Sequence, residues 1–457
     1  MNFVERTLRA GLAIVVLATI IPYGAVNPFW FYVAVILNGA LFALTLAIPF
    51  RNEELLRVYR AALLILLLTC AYLLVQAAPF NPNPVENPIW KTVHDLLKLH
   101  GGSISVDPAT TFATIPAIVH PFLIFMAVLV LHQTDEAAIS LWRRLALLGA
   151  SVAALGLVQF VFFPGRLLLG EKTHYLDSVT GTFVNRNNAS TLFGLTVLVL
   201  AGVLVRYFQQ IFLYGDFAHL PEQVRRRRQS GFFFFLGLSA VALVALFLTK
   251  SRGGLISAFV PLLLLATWFG YTIVPPTAAP RVRIGFALAA AGAIFVLFAV
   301  LGAQSLFRLE QGGIDDDRWC VFKSTFAAIK DYPWFGTGFG TFEQVFPVYR
   351  DPACGLSGLW DRTHNSFLEG YLGMGLPFAL LVAIIVLYLL RIFTVGYRTR
   401  RRFRIVPLIG VGMLLLVILH SLVDFPLQIP GVAAYFAAAI GATVCISLGR
   451  RRSTTRG

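Results

Sequence analysis

Residues 361–390 read DRTHNSFLEGYLGMGLPFALLVAIIVLYLL. From Phe367 onward the run holds one charged residue in 24 positions, enough α-helix to cross the ~30 Å hydrocarbon core of a bilayer. The six residues before it are polar and include His364. A span whose first turn carries such a group sets its chemistry at the membrane boundary, where water and lipid headgroups meet.

Runs of this kind recur along the whole chain. The 457 residues are 58% hydrophobic and 13% charged, with a mean hydropathy of +0.77. Apolar runs flanked by charge predict twelve spans, at 9–22, 29–49, 61–78, 112–131, 145–163, 188–205, 232–249, 254–274, 284–303, 367–390, 405–423 and 430–448. Strands of a transmembrane barrel would be about ten residues long with alternating polarity. The expected fold is therefore an all-α polytopic membrane protein, with residues 1–457 forming one transmembrane domain. Residues 304–366, between spans 9 and 10, are expected to form a large outward loop.

The loops divide by charge. Those on the side of both termini hold 24 of the 37 Lys and Arg and 7 of the 22 Asp and Glu. By the positive-inside rule that side is cytoplasmic, and both termini with it. The net charge of +15 thus faces an anionic inner leaflet and gives no reason to expect nucleic acid. Arginine-rich inner loops and abundant Ala and Gly fit a bacterial inner membrane. The first apolar segment lacks a small-residue cleavage site and reads as a retained span.

Four polar clusters fall at span ends on the outward side: GTFVNRNNAS (181–190), TKSRGGLIS (249–257), DRTHNSFLEG (361–370) and HSLVDFPLQIP (420–430). Each precedes a span running inward, so each lies at a helix N-terminus, where free amides and the helix dipole favour an anion. Arg186, Arg252 and His364 at one depth would suit a lipid phosphate. The structural alternative is plain for each. An arginine at a span end also serves as a snorkelling anchor, an interfacial histidine also serves as a hydrogen-bonder, and Asp424 reads as the cap of the turn before Pro426. Gly253 and Gly254 open the backbone beside Arg252 to a ligand or to another helix.

Elsewhere, Asp315, Asp316 and Asp317 read as helix caps rather than metal ligands. No His or Cys spacing suits zinc. The Gly336, Gly338 and Gly340 triplet follows no strand, which argues against a dinucleotide site. The stretch 89–100 predicts an amphipathic helix lying on the membrane surface as a lid or acceptor platform. Cys70 and Cys445 fall inside spans, whereas Cys320 and Cys354 share the large outward loop and are expected to bridge in an oxidising compartment.

The stretches GTFVNRNNAS (181–190), SRGG (251–254), DYPWFGTGFGTF (331–342) and HNSFLEGYLGMG (364–375) resemble the O-antigen ligase and polymerase superfamily of membrane glycosyltransferases. The resemblance implies a GT-C-type inverting transferase at the periplasmic face, with no metal and no cofactor. Its donor would be undecaprenyl-diphosphate-linked O-antigen polysaccharide and its acceptor a sugar hydroxyl on lipid A-core. Arg186 and Arg252 would neutralise the diphosphate, and His364 would take the acceptor proton or orient the diphosphate. Asn187, Arg362 and Asn365 join them as candidate substrate contacts. A polymerase of repeat units and a protein O-oligosaccharyltransferase share this donor chemistry. A lipid-linked glycan transporter would instead carry ionisable residues at mid-membrane, where most of these spans have almost none.

Overall fold

The computed structural model describes residues 3–80, 85–98, 101–213, 219–312, 316–354 and 358–449. Among the described residues its regular elements are helices, apart from a hairpin of two two-residue strands, β1 (Arg166–Leu167) and β2 (Gly170–Glu171), and one isolated bridge, Phe80 with Gly102. The first half comprises α1 (Phe3–Ile20), α2 (Pro28–Thr45), α3 (Glu53–Ala77), α4 (Ile89–Leu97), α5 (Pro108–Ala113), α6 (Ile115–Leu131), α7 (Asp135–Phe162) and α8 (Arg186–Phe208). The second comprises α9 (Glu222–Leu248), α10 (Arg252–Ile273), α11 (Pro280–Gly312), α12 (Asp316–Asp331), α13 (Phe342–Tyr349), α14 (Ser366–Met374), α15 (Leu376–Thr399), α16 (Ile405–Ser421) and α17 (Pro430–Ser447).

Ten stretches among the described residues are long and apolar enough to cross a bilayer. The other two expected spans are also helices: α1, whose first turns hold Glu5, Arg6 and Arg9, and α16, at 17 residues. The protein is an all-α polytopic membrane protein. Several helices begin before the apolar run that announced them. Asn52 and Thr134 cap the amides of α3 and α7, so each of those helices starts in polar sequence. Asp315, an expected cap of α12, lies outside the described residues.

The tenth span departs from expectation. It is two helices rather than one, because Gly375 takes φ +65° and Pro377 starts α15 afresh. The glycine-rich run 331–342 fills the break. Thr337 and Gly338 amides donate to the Leu372 and Gly373 carbonyls at 2.8 and 3.0 Å, and Leu376 donates to Trp334. From α3, the fully buried Gln76 amide donates to the Phe335 and Gly373 carbonyls at 2.7 and 2.9 Å. Backbone left unpaired by the broken helix is thus satisfied within protein, as the bilayer requires. Beside it, Val321, Ala328, Ile329, Phe342, Phe346 and Leu372 form a small second core of α12, α13 and α14, and Cys320 is disulfide-bonded to Cys354.

Helices α8 and α17 are buried nearly all round and form the centre of the bundle. On α17, Ala434, Ala438, Gly441 and Ala442 keep the helix thin, so α6, α7 and α16 approach closely. One end of the bundle is closed by ion pairs: Arg51 with Glu5 at 2.6 Å, and Arg400 with Asp135. The other end carries the polar clusters. Helix α4 lies there with Leu96 and Leu97 exposed.

A Cβ on Gly336, which sits at φ +71°, would come within 2.5 Å of the Gly373 backbone. Gly336→Ala should therefore lower stability by about 2 kcal/mol or more from strain and overpacking combined, read as a lowered unfolding temperature in detergent. An unchanged temperature would contradict the docking of this run into the break.

Candidate functional site

Three helix N-termini meet at the polar end of the bundle. Asn185 caps α8, accepting from the Asn187 amide at 2.8 Å, and makes Arg186 its first residue. Ser251 caps α10, accepting from Gly254 at 3.2 Å, and makes Arg252 its first residue. Asn365 caps α14, accepting from Phe367 and Leu368 at 3.0 and 3.1 Å, with His364 just before it. In each case a short polar side chain in an extended backbone starts the helix and leaves the candidate residue at the dipole's positive end.

The three termini are joined through Asp424, in the turn after α16. Its side chain is 2% exposed. One carboxylate oxygen accepts from the Asn187 amide nitrogen. The other accepts from the Phe425 amide at 2.8 Å and lies 3.8 Å from His364 Nδ1, an ion-pair separation rather than a hydrogen bond. The Asp424 carbonyl accepts from both the amide and hydroxyl of Ser366, at 3.3 and 3.1 Å. Asn187 in turn accepts from Ser251 Oγ at 2.8 Å. Arg186, Arg252 and His364 are each next to, or are themselves, a member of this network.

Burial acts to raise the Asp424 carboxyl pKa. The His364 and His420 imidazoles and the Phe425 amide act against it, and the net shift is downward. His420 is itself buried, with Nδ1 2.7 Å from Thr191 Oγ1 on α8.

The glycines beside Arg252 serve helix packing. A Cβ on Gly254 would fall 1.9 Å from Ser190 Oγ of α8, and one on Gly253 would fall 2.8 Å from Val423 Cγ2 and 3.4 Å from His420 Nε2. The Arg186 guanidinium lies over the Tyr175 ring, 5.0 Å from its centroid. The His364 ring is bracketed by Phe425 and Trp360, at 5.0 and 6.1 Å between centroids. His364, Lys250 and Tyr175 all hold left-handed backbone, at φ +55°, +54° and +56°. Strain of this kind, gathered where the charges gather, marks a site held by its surroundings.

The other candidates, too, are engaged within the protein. Arg362 lies 3.6 Å from Glu369, whose other oxygen accepts from the Thr363 hydroxyl and amide at 2.7 and 2.9 Å. Asn187 is engaged at both ends of its amide, and the Asn365 oxygen is spent on its cap. Sequence reasoning missed the reach of Asp424, Ser251 and Arg318. Asp424 was legible as a turn cap, which its bond from Phe425 makes it, but its bonds to α8 and α14 join residues far apart in sequence. Arg318 of α12 donates to the Val423 carbonyl at 3.0 Å, beside Asp424, and brings a further cation to the site. Among the described residues no set of three His, Cys, Asp or Glu side chains is placed to hold a metal ion.

Residues 237–383 match the family model described as O-antigen ligase. The matched region runs from within α9 into α15 and includes Arg252, Arg362, His364, Asn365 and both bridged cysteines. Arg186, Asn187 and Asp424 lie outside it and are tied to it by the hydrogen bonds above. No curated protein matches the chain. The family match supports a function of the O-antigen ligase and polymerase type in general, that of a glycosyltransferase-like membrane enzyme.

Removing the Asp424 charge should loosen all three termini. Asp424→Asn is expected to cost about 1–3 kcal/mol at neutral pH. A carboxyl whose folded pKa is depressed stabilises the fold above the unfolded value of about 3.9, and that contribution fades as pH falls through the folded value. The gap in unfolding temperature between wild type and variant should therefore narrow below about pH 4. A gap that stays constant with pH would contradict a charged hub.

Proposed function

We propose that the protein is an O-antigen ligase of the bacterial inner membrane, transferring a glycan from undecaprenyl diphosphate to a sugar hydroxyl of lipid A-core. The observation that carries this reading is the convergence on Asp424 of three helix N-termini bearing Arg186, Arg252 and His364. The split of basic and acidic loops supports a periplasmic position for this end, with both termini cytoplasmic. The donor diphosphate would sit against Arg186 and Arg252, and the segment 304–366 would cover it from the periplasm.

In the reaction the acceptor hydroxyl oxygen attacks the anomeric carbon as the bond from that carbon to the diphosphate oxygen breaks. A single displacement inverts the configuration there. Charge builds on the departing diphosphate, and fixed guanidinium groups at helix N-termini stabilise it in the transition state. The acceptor proton passes to His364, whose Nε2 lies across the ring from the nitrogen facing Asp424. The Asp424 carboxylate stabilises the resulting imidazolium. Asn187, Asn365 and Arg362 hold the frame. With the arginines carrying the charge, a divalent metal is not needed, and the proposed enzyme is of the GT-C type.

In purified enzyme, Arg186→Ala and Arg252→Ala should each lower transfer by about 10²-fold or more, with lysine restoring only part, since it lacks the planar fork. His364→Ala should keep donor affinity and lose about 10²–10⁴ in transfer rate. Near-normal transfer in these variants at normal membrane levels would overturn the assignment. Excess chelator should leave transfer unchanged; a loss restored by magnesium or manganese would contradict the metal-free mechanism. In a deletion strain, lipopolysaccharide should appear as bare lipid A-core. Core capped by one repeat would indicate a polymerase, and an intact ladder would exclude both.

A further inference from the structure

Beside Arg186 the outward end opens into a cleft of about 390 Å³, lined among others by Tyr23, Asn27, Glu171, Thr173, His174 and Val184. The volume lies within the range of small-molecule sites. Both walls are fixed. The α1–α2 turn bearing Tyr23 is held by the Thr182 hydroxyl, which donates to the Ile20 carbonyl at 2.9 Å, and by Gly24, where a Cβ would fall 2.6 Å from the Phe183 ring. The opposite wall, the β1–β2 hairpin and its exit, is held by the Lys172 amide on the Gly165 carbonyl at 2.9 Å. The Lys172 ammonium donates to the Ser178 carbonyl at 2.6 Å.

The chemistry of this cleft differs from that of the arginines. The Lys172 ammonium, also in the lining, is turned to the Ser178 carbonyl, and Asp177, paired with Lys250 at 3.1 Å, acts on it electrostatically; beside it the cleft offers the Glu171 carboxylate, the Thr173 hydroxyl, the His174 imidazole and an aromatic ring. A carboxylate at the mouth disfavours a second phosphate. Neutral hydroxyls suit these partners, as donors to Glu171 and acceptors from Thr173, and the Tyr23 ring offers a face to the C–H side of a pyranose. The cleft also adjoins the phosphate position: His174 precedes Tyr175, whose ring carries the Arg186 guanidinium, and Val184 stands two residues before Arg186.

We infer that this cleft binds the sugar attached directly to the lipid diphosphate, so that the donor is read by its first pyranose as well as by its phosphates. The inference rests on the diphosphate lying at Arg186 and Arg252.

The test uses full-length protein in nanodiscs and two probes: undecaprenyl diphosphate alone, and undecaprenyl diphosphate bearing one N-acetylhexosamine. Wild type should bind the sugar-bearing lipid about tenfold more tightly, the gain of one or two net hydrogen bonds. The Glu171→Ala/His174→Ala double variant alters two exposed side chains and should bring the ratio to about one while leaving affinity for the bare lipid unchanged. Equal affinities in wild type, or a ratio unmoved by the double variant, would overturn the inference. So would an unmoved ratio accompanied by a raised KM for lipid A-core, which would make the cleft the acceptor's. Arg186→Ala tests the underlying reading separately: undiminished affinity for the bare lipid would remove the diphosphate from the arginines, whatever the sugar ratio shows.

Discussion

The arrangement at the outward end depends on one buried carboxylate. Asp424 is enclosed on nearly every side, and an ionised group in such a place must be fully paired. Its partners are Asn187 of α8, the Phe425 amide and the His364 imidazole, while its carbonyl takes the first residue of α14. Satisfying that charge fixes where α8, α14 and α16 end relative to one another. Through Asn187 and Ser251 it fixes α10 as well. The strained backbone of His364 persists because this network determines the residues on either side of it.

The bundle divides its labour between its two ends. At one, Arg51, Arg400, Glu5 and Asp135 pair with each other and close the structure. At the other, the N-termini of α8, α10 and α14 are tied together, and α12, α13 and α14 share a small core of their own, with α12 bonded through Cys320 to Cys354. Irregular backbone at that depth survives because Gln76 and the Gly375 break supply its partners. A site assembled from helix termini, rather than from mid-span side chains, suits a reaction in which a lipid-anchored phosphate stays at the headgroup level while its glycan extends into water.

The helical spans were legible in sequence, ten of them long and apolar enough among the described residues to cross a bilayer, because burial in lipid demands about twenty apolar residues, a signal long enough to survive local noise. That the polar clusters lie at helix N-termini was legible, whereas the caps Asn185, Ser251 and Asn365 start their helices one or two residues ahead of the apolar runs. The break at Gly375 was not, since a glycine inside an apolar run is tolerated in many helices and only the docking of residues 331–342 makes this one a boundary. Asp424 was visible as a polar residue between spans. Its role was not visible, because it rests on hydrogen bonds to residues 237 and 58 positions away in sequence. Gly253 and Gly254 could be read as room for a ligand or for a helix; Ser190 and His420 show that helices fill it.

The central claim is that the termini joined by Asp424 form one diphosphate site. Electron cryomicroscopy of the protein in nanodiscs with undecaprenyl diphosphate bound tests it most directly. The account predicts both phosphates within about 3 Å of the Arg186 and Arg252 guanidinium groups, with the lipid tail leaving between helices and His364 facing the outermost phosphate. Phosphate density at the opposite end, among Arg51, Arg400 and their neighbours, or contacting neither Arg186 nor Arg252, would contradict it.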